Sequence, residues 1–223
     1  MANQAAGKGN SIRACNQARI LVAAEAVFAE AGFHGATTAS IAARARLPKA
    51  NIHYYFGTKG ALYRAVLANI LDLWLGALDA IDVSRQPADA LGDYIRDKMY
   101  WSRTRPNASK VFANEILHGA PQLGGYLANE LRRRVDQKAA VLRHWVRRGL
   151  MDPVDPVHLI FSLWAMTQHY ADFEVQVRAV LGRKRLSDAD FAAGADTIVK
   201  LVLDGCGVRQ GRAAAVARAR LKA

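Results

Sequence analysis

The segment FAEAGFHGATTASIAARARLPKANIHYYFGTKGALYRAVL, residues 28–67, decides how this chain folds. Just before and into it, Ile20, Leu21, Ala24, Val27, Phe28 and Ala31 recur at three- and four-residue steps, which predicts a helix from Gln17 to Ala31. Gly32 suits the left-handed residue that ends such a helix. Thr37 then stands as an N-cap, and the spacing predicts a short helix over Thr38–Ala45 with Ile41, Ala42 and Ala45 inward. Leu47-Pro48 breaks it. Pro48 fits the first turn of the next short helix, Lys49–Tyr55, because a first-turn residue needs no amide donor. Gly57-Thr58 closes that helix and caps a long one from Lys59 to about Ile81.

Two short helices across a three-residue break, held by a longer one, are the parts of a helix-turn-helix. A helix that enters a DNA major groove must be narrow, carry hydrogen-bonding heads, and be pinned from behind by apolar residues. Lys49-Ala50-Asn51-Ile52-His53-Tyr54-Tyr55-Phe56 meets all three demands. Ile52 and Phe56 are one turn apart and face inward, while Lys49, Asn51 and His53 project outward. Ala50 offers a methyl to a thymine methyl, and Tyr54 and Tyr55 are long enough to reach phosphates. The plainer alternative is a small helical bundle with no DNA role.

Outward from this segment the helical spacing continues. Helices are expected over Pro87 to about Arg105, Ala108–His118, about Leu123 to Arg148, Pro156 to about Leu181, and Ser187 to about Asp204. That makes an all-α chain of about nine helices. Its expected organisation is a flexible basic N-terminus (1–16), a helix-turn-helix domain (17–63), a ligand-binding and dimerisation domain (64–207) and a basic, disordered tail (208–223).

Charge agrees with this division. The chain carries a net +12, but residues 1–60 hold seven basic residues against Glu25 and Glu30, and residues 208–223 hold five with no acid. The 147 residues between them are almost neutral, so an electrostatic partner such as nucleic acid would engage the ends. For the tail, a solvated disordered segment explains the charge equally well. Two cysteines, Cys15 and Cys206, build no disulfide framework and no metal spacing. The opening residues lack the apolar run of a secretory leader, and the uncharged run Pro156–Ala171 is short and polar for a membrane span. A cytoplasmic, reduced protein without cofactor or metal is expected. No glycine-rich phosphate loop, nucleophile elbow, paired carboxylates or His/Cys grouping points to an enzyme.

The 28–67 segment resembles the N-terminal signature of the TetR family. It has a Phe-x-x-x-Gly-Phe entry, a Thr capping the second helix, Ile-Ala, the turn, and Tyr-Tyr-Phe-x-x-Lys-x-x-Leu. The resemblance implies a TetR-like all-α fold and phosphate clamps at Thr37, Lys59, Tyr54 and Tyr55. It implies groove-facing roles for Lys49, Ala50, Asn51 and His53. Two residues depart from the pattern: Arg46 stands where a turn Gly is usual, and Pro48 where a capping Ser is frequent. Arg46 is then either strained or an extra phosphate contact, with the contact preferred.

The body resembles the pyrimidine-utilisation branch of that family, above all in DPVHLIFSLWAMTQHYADF, residues 155–173. This implies a uracil- or thymine-like effector, although Met99–Ser102 and Ala113–His118 differ in polarity from that branch. The alternative is control of efflux or lipid genes by a hydrophobic effector. A planar polar ring needs stacking faces, which Trp74, Trp164 and Phe112 could supply, and an amide such as Gln168 that both donates and accepts. The aromatics serve equally well as core. Lys98, set among charges, reads as a solvated side chain or a partner of Asp97's neighbours rather than a ligand contact, and Arg132–Arg134 as a solvated face. Phe161, Ala165, Ala171, Val175, Ile198, Leu201 and Val202 on the last two long helices are the expected members of a homodimer face. Two-fold symmetry would set two recognition helices on a near-palindromic operator in double-stranded DNA.

Overall fold

The computed structural model describes residues 3–208, with side chains from Ile12 onward. The basic tail expected beyond Val208 lies outside the described residues. The described backbone is helical without strands. In order come α1 (Asn3–Gly35), α2 (Thr38–Ala45), α3 (Lys49–Phe56), α4 (Lys59–Leu78), α5 (Pro87–Thr104) and α6 (Pro106–Leu117). After them come α7 (Gly124–Tyr126), a π turn (Leu127–Leu131), α8 (Arg132–Arg147), α9 (Pro156–Asp172), α10 (Glu174–Leu181) and α11 (Asp188–Gly205).

Two of the eleven α segments were not foreseen. The single helix expected from Pro156 to Leu181 breaks at Phe173, whose φ of −112° and ψ of 30° leave the helical range, with no proline or glycine to announce it. The short turn α7 runs through the π segment into α8. Helix α1 starts far upstream of Gln17 and kinks at Gly32, where φ is 67° and ψ is 177°. A side chain there would meet the steric penalty of positive φ. Of the expected α1 stripe, Ile20, Ala24, Val27 and Phe28 are buried, whereas Ala31 is exposed because it lies just before the kink.

The chain divides into two compact units. The first takes the chain through Asp72 together with Asn107–Leu123, so it contains α1–α3, most of α4 and nearly all of α6. The second takes Leu73–Pro106 and the chain from Gly124 onward. The sequence placed this division at residues 63–64. Tyr63 accounts for the placement of α6: it is a buried α4 residue hydrogen-bonded to the buried Glu115 of α6, which ties α6 to the first unit. Glu115 Oε1 also accepts from the Gln122 amide at 2.6 Å. Burial and this carboxylate push the Tyr63 phenol pKa up.

In the second unit Tyr94, Ile95, Leu142, Trp145, Ile160 and Leu163 anchor the core, each no more than 1% exposed. Helix α11 crosses α9 closely enough that a Cβ on Gly194 would lie 2.6 Å from the Tyr170 ring, so a larger residue there would have to displace that ring. Helix α4 is long and apolar enough to cross a bilayer, but half of its apolar window is buried within the protein.

Candidate nucleic-acid interface and effector site

The turn between α2 and α3 is held by three devices. Thr37 is a true N-cap: its Oγ1 accepts from the Ser40 amide at 3.0 Å, and Ser40 reciprocates toward the Thr37 backbone. Arg19, on α1, donates from Nη2 to the carbonyls of Ala45 (2.8 Å) and Arg46 (3.3 Å), which caps the C-terminal end of α2. Sequence reasoning missed Arg19, because its partners lie 26 and 27 residues away. Ile41, Ala42, Ala45 and Ile52 are buried and seat both short helices from behind.

Arg46 sits in the left-handed region at φ 52°, ψ 46°. The backbone strain is therefore present, and the side chain is exposed. A non-glycine residue there costs about 1 kcal/mol. Arg46→Gly is expected to raise the melting temperature by a few degrees while weakening DNA binding and lowering its salt slope by about one. Unchanged DNA affinity with raised stability would leave Arg46 a purely strained turn.

On α3, Lys49, Ala50, His53 and Tyr54 are exposed and Asn51 is half-buried. Tyr54 is 72% exposed and meets Tyr55 edge-on at 4.9 Å, with the Arg13 guanidinium 6.0 Å from its ring. Tyr55 accepts from Asn16 Nδ2 at 3.4 Å. Pro48 precedes the helix with φ −57° and ψ 143°, and its carbonyl accepts from Asn51 N. Phe56 is only half-buried, so Ile52 carries the anchoring.

Lys59 has a different environment from the one the resemblance implied. Its ammonium donates to the carbonyls of Phe33 (2.8 Å), His34 (3.4 Å) and Ala36 (3.0 Å) and lies 4.7 Å from the Phe33 ring. All three of its donors are engaged inside the protein. The chain leaving the α1 kink is thereby fixed just ahead of Thr37.

In the second unit, α5 carries Tyr94, Lys98 and Ser102 at four-residue steps on its buried face. Tyr94 Oη accepts from Trp164 Nε1 at 2.8 Å, and burial pushes its phenol pKa up. Ser102 donates to the Thr167 carbonyl at 2.9 Å. Lys98 corrects the sequence reading: it is 3% exposed, not solvated. Its ammonium lies 4.3 Å from the Trp74 ring, and among the described residues it makes no hydrogen bond. Burial pulls its pKa down to about 7, partly opposed by the charge of Asp172. The four-residue step from Tyr94 was the signal that could have revealed it.

Trp74 and Trp164 thus attach to adjacent turns of α5, and Gln168 sits half-buried one turn beyond Trp164 on α9. Phe112 is half-buried on α6, in the first unit. Of the expected dimer residues, Phe161, Ala165, Val175 and Leu201 are exposed. Ala171, Ile198 and Val202 are not available: they are buried in the protomer itself, because helical spacing marks an apolar face without saying what covers it.

A helix-turn-helix with a pinned, polar second helix, joined to an all-helical body, defines a DNA-binding transcription regulator. The chain belongs to the TetR family of bacterial regulatory proteins, whose N-terminal model matches residues 20–66, and residues 67–209 match the C-terminal region of YcdC-like proteins. It is 41% identical to the HTH-type transcriptional regulator RutR of Escherichia coli K12 over 199 residues, 89% of this chain and 94% of that one. It is 32% identical to the HTH-type transcriptional repressor SCO4008 of Streptomyces coelicolor, covering 74% of this chain and 82% of that one. The crystal structure of the putative transcriptional regulator SCO4942 from Streptomyces coelicolor superposes with a TM-score of 0.68 at 26% identity, covering 87% of this chain and 99% of that one.

Proposed function

We propose that the chain is a cytoplasmic, homodimeric repressor that reads a near-palindromic operator through α3 and answers to a uracil- or thymine-like effector in its body. The observation that carries the effector reading is Lys98, a buried ammonium against the Trp74 face and without a hydrogen-bond acceptor. A buried cation whose burial is only partly offset by the charge of Asp172 is costly, and a ligand carbonyl would relieve part of that cost. An imide ring offers two carbonyls and a flat face, which suits Lys98, the indoles of Trp74 and Trp164, and the donor–acceptor amide of Gln168. Thr37, Arg46, Lys49, Ala50, Asn51, His53, Tyr54 and Tyr55 are assigned to DNA, with Lys59 bracing them. The exposed Phe161, Ala165, Val175 and Leu201 are assigned to the symmetry mate.

Thermal melting with uracil, thymine and a panel of acyl and aromatic hydrophobic ligands tests the effector. A ligand at about 100 times its Kd stabilises the native state by about 2.7 kcal/mol, a rise of roughly 5–10 °C for a chain of this size. Uracil or thymine is expected to give that rise. Stabilisation by the hydrophobic panel alone would reject the pyrimidine reading.

A further inference from the structure

His53 is exposed on α3, one turn after Lys49 and next in sequence to the buried Ile52. Its Nδ1 lies 3.0 Å from the Gly57 carbonyl oxygen. A carbonyl has no proton to give, so Nδ1 carries the hydrogen and donates it. In a neutral imidazole the other nitrogen is then a lone-pair acceptor. Gly57 closes α3 at φ 72°, and its amide returns to the His53 carbonyl at 2.9 Å. The ring and the end of its own helix therefore hold each other, and no partner elsewhere is needed to fix which nitrogen faces outward.

An acceptor meets an asymmetric code in the major groove. Adenine N6 and cytosine N4 present hydrogens there, whereas guanine O6 and N7 and thymine O4 present only lone pairs. We propose that His53 Nε2 is an amino-against-keto reader, accepting adenine or cytosine and rejecting guanine or thymine on the strand it contacts. Lys49, with donors only, takes the complementary role toward guanine one helical turn away. The recognition face would then alternate polarity over about 5.4 Å, the reach of one or two base steps. This inference rests on the DNA-reading role proposed above.

Selection of duplexes from a random pool by the full chain at pH 8 tests it. The native chain is expected to enrich a palindrome in which one position per half-site favours A or C over G or T by about five- to tenfold. His53→Leu should flatten that position and leave the others, and His53→Lys should turn it toward G or T. His53 is exposed, so both variants are expected to fold. A palindrome unchanged by His53→Leu, or one whose His53-dependent position holds G or T in the native chain, overturns the proposal. Failure of the DNA-reading role looks different: no palindrome emerges at all, and both ideas fall together. Long-range nitrogen–proton correlation spectra of the labelled ring give an independent reading. The hydrogen is expected on Nδ1, and a ring protonated mainly on Nε2 would refute the argument.

Discussion

Lys98→Met is expected to stabilise the ligand-free protein by about 2–4 kcal/mol at pH 7 and, at the same time, to abolish its response to effector. The native pKa lies near 7, against 10.5 for the free side chain. Between those values the unfolded chain binds a proton that the native protein does not. Stability should therefore rise with pH across this window, by about 1.4 kcal/mol per unit, and be lowest where the native side chain is charged. Methionine fills a similar volume with no charge to desolvate. Melting curves from pH 6 to 10 should slope upward above pH 7 for the native chain and lose most of that slope in the variant. A variant no more stable than its parent would show that the ammonium is already well compensated. Effector affinity should have the opposite pH dependence: if the ligand accepts from a protonated Lys98, it weakens by up to tenfold per unit above pH 7.

Lys59→Ala separates two roles for one residue. A phosphate clamp predicts weaker operator binding on every sequence, a salt slope reduced by about one, and little change in stability. The three carbonyls around Nζ predict something else. Losing charge-assisted bonds to a kinked backbone should cost about 2–3 kcal/mol and lower the melting temperature of the DNA-reading unit by roughly 5–10 °C. Operator affinity should fall because the start of α2 loosens, with the salt slope kept. Normal melting combined with a flattened salt slope would restore the clamp.

Much of the head was legible because its signals are local. Thr37 lies three residues from its capping partner, Pro48 and Gly57 punctuate α3, and the inward Ile41 and Ala45 lie one turn apart on α2, with Ile52 anchoring α3. The His53–Gly57 bond spans four residues and was open to the same reasoning. What escaped is non-local. Arg19 and Lys59 look like ordinary basic residues until the chain brings distant carbonyls to them. Lys98 follows Asp97 and Arg96, and nothing in that run tells which side of α5 faces the core until Tyr94 and Ser102 are seen to share its face. Ala171, Ile198 and Val202 were assigned to a partner because an apolar stripe cannot name its own covering.

The division into two units also has a photophysical consequence. All four tryptophans, Trp74, Trp101, Trp145 and Trp164, belong to the second unit, and the first has none. Indole emission is therefore a label-free gauge of the body alone. Trp145, fully enclosed, sets a steady background, while Trp74 beneath an ammonium and Trp164 tethered to a phenol are the emitters placed to change. Loss of the operator-reading half should leave that glow almost untouched, so the two halves can be followed separately in one cuvette.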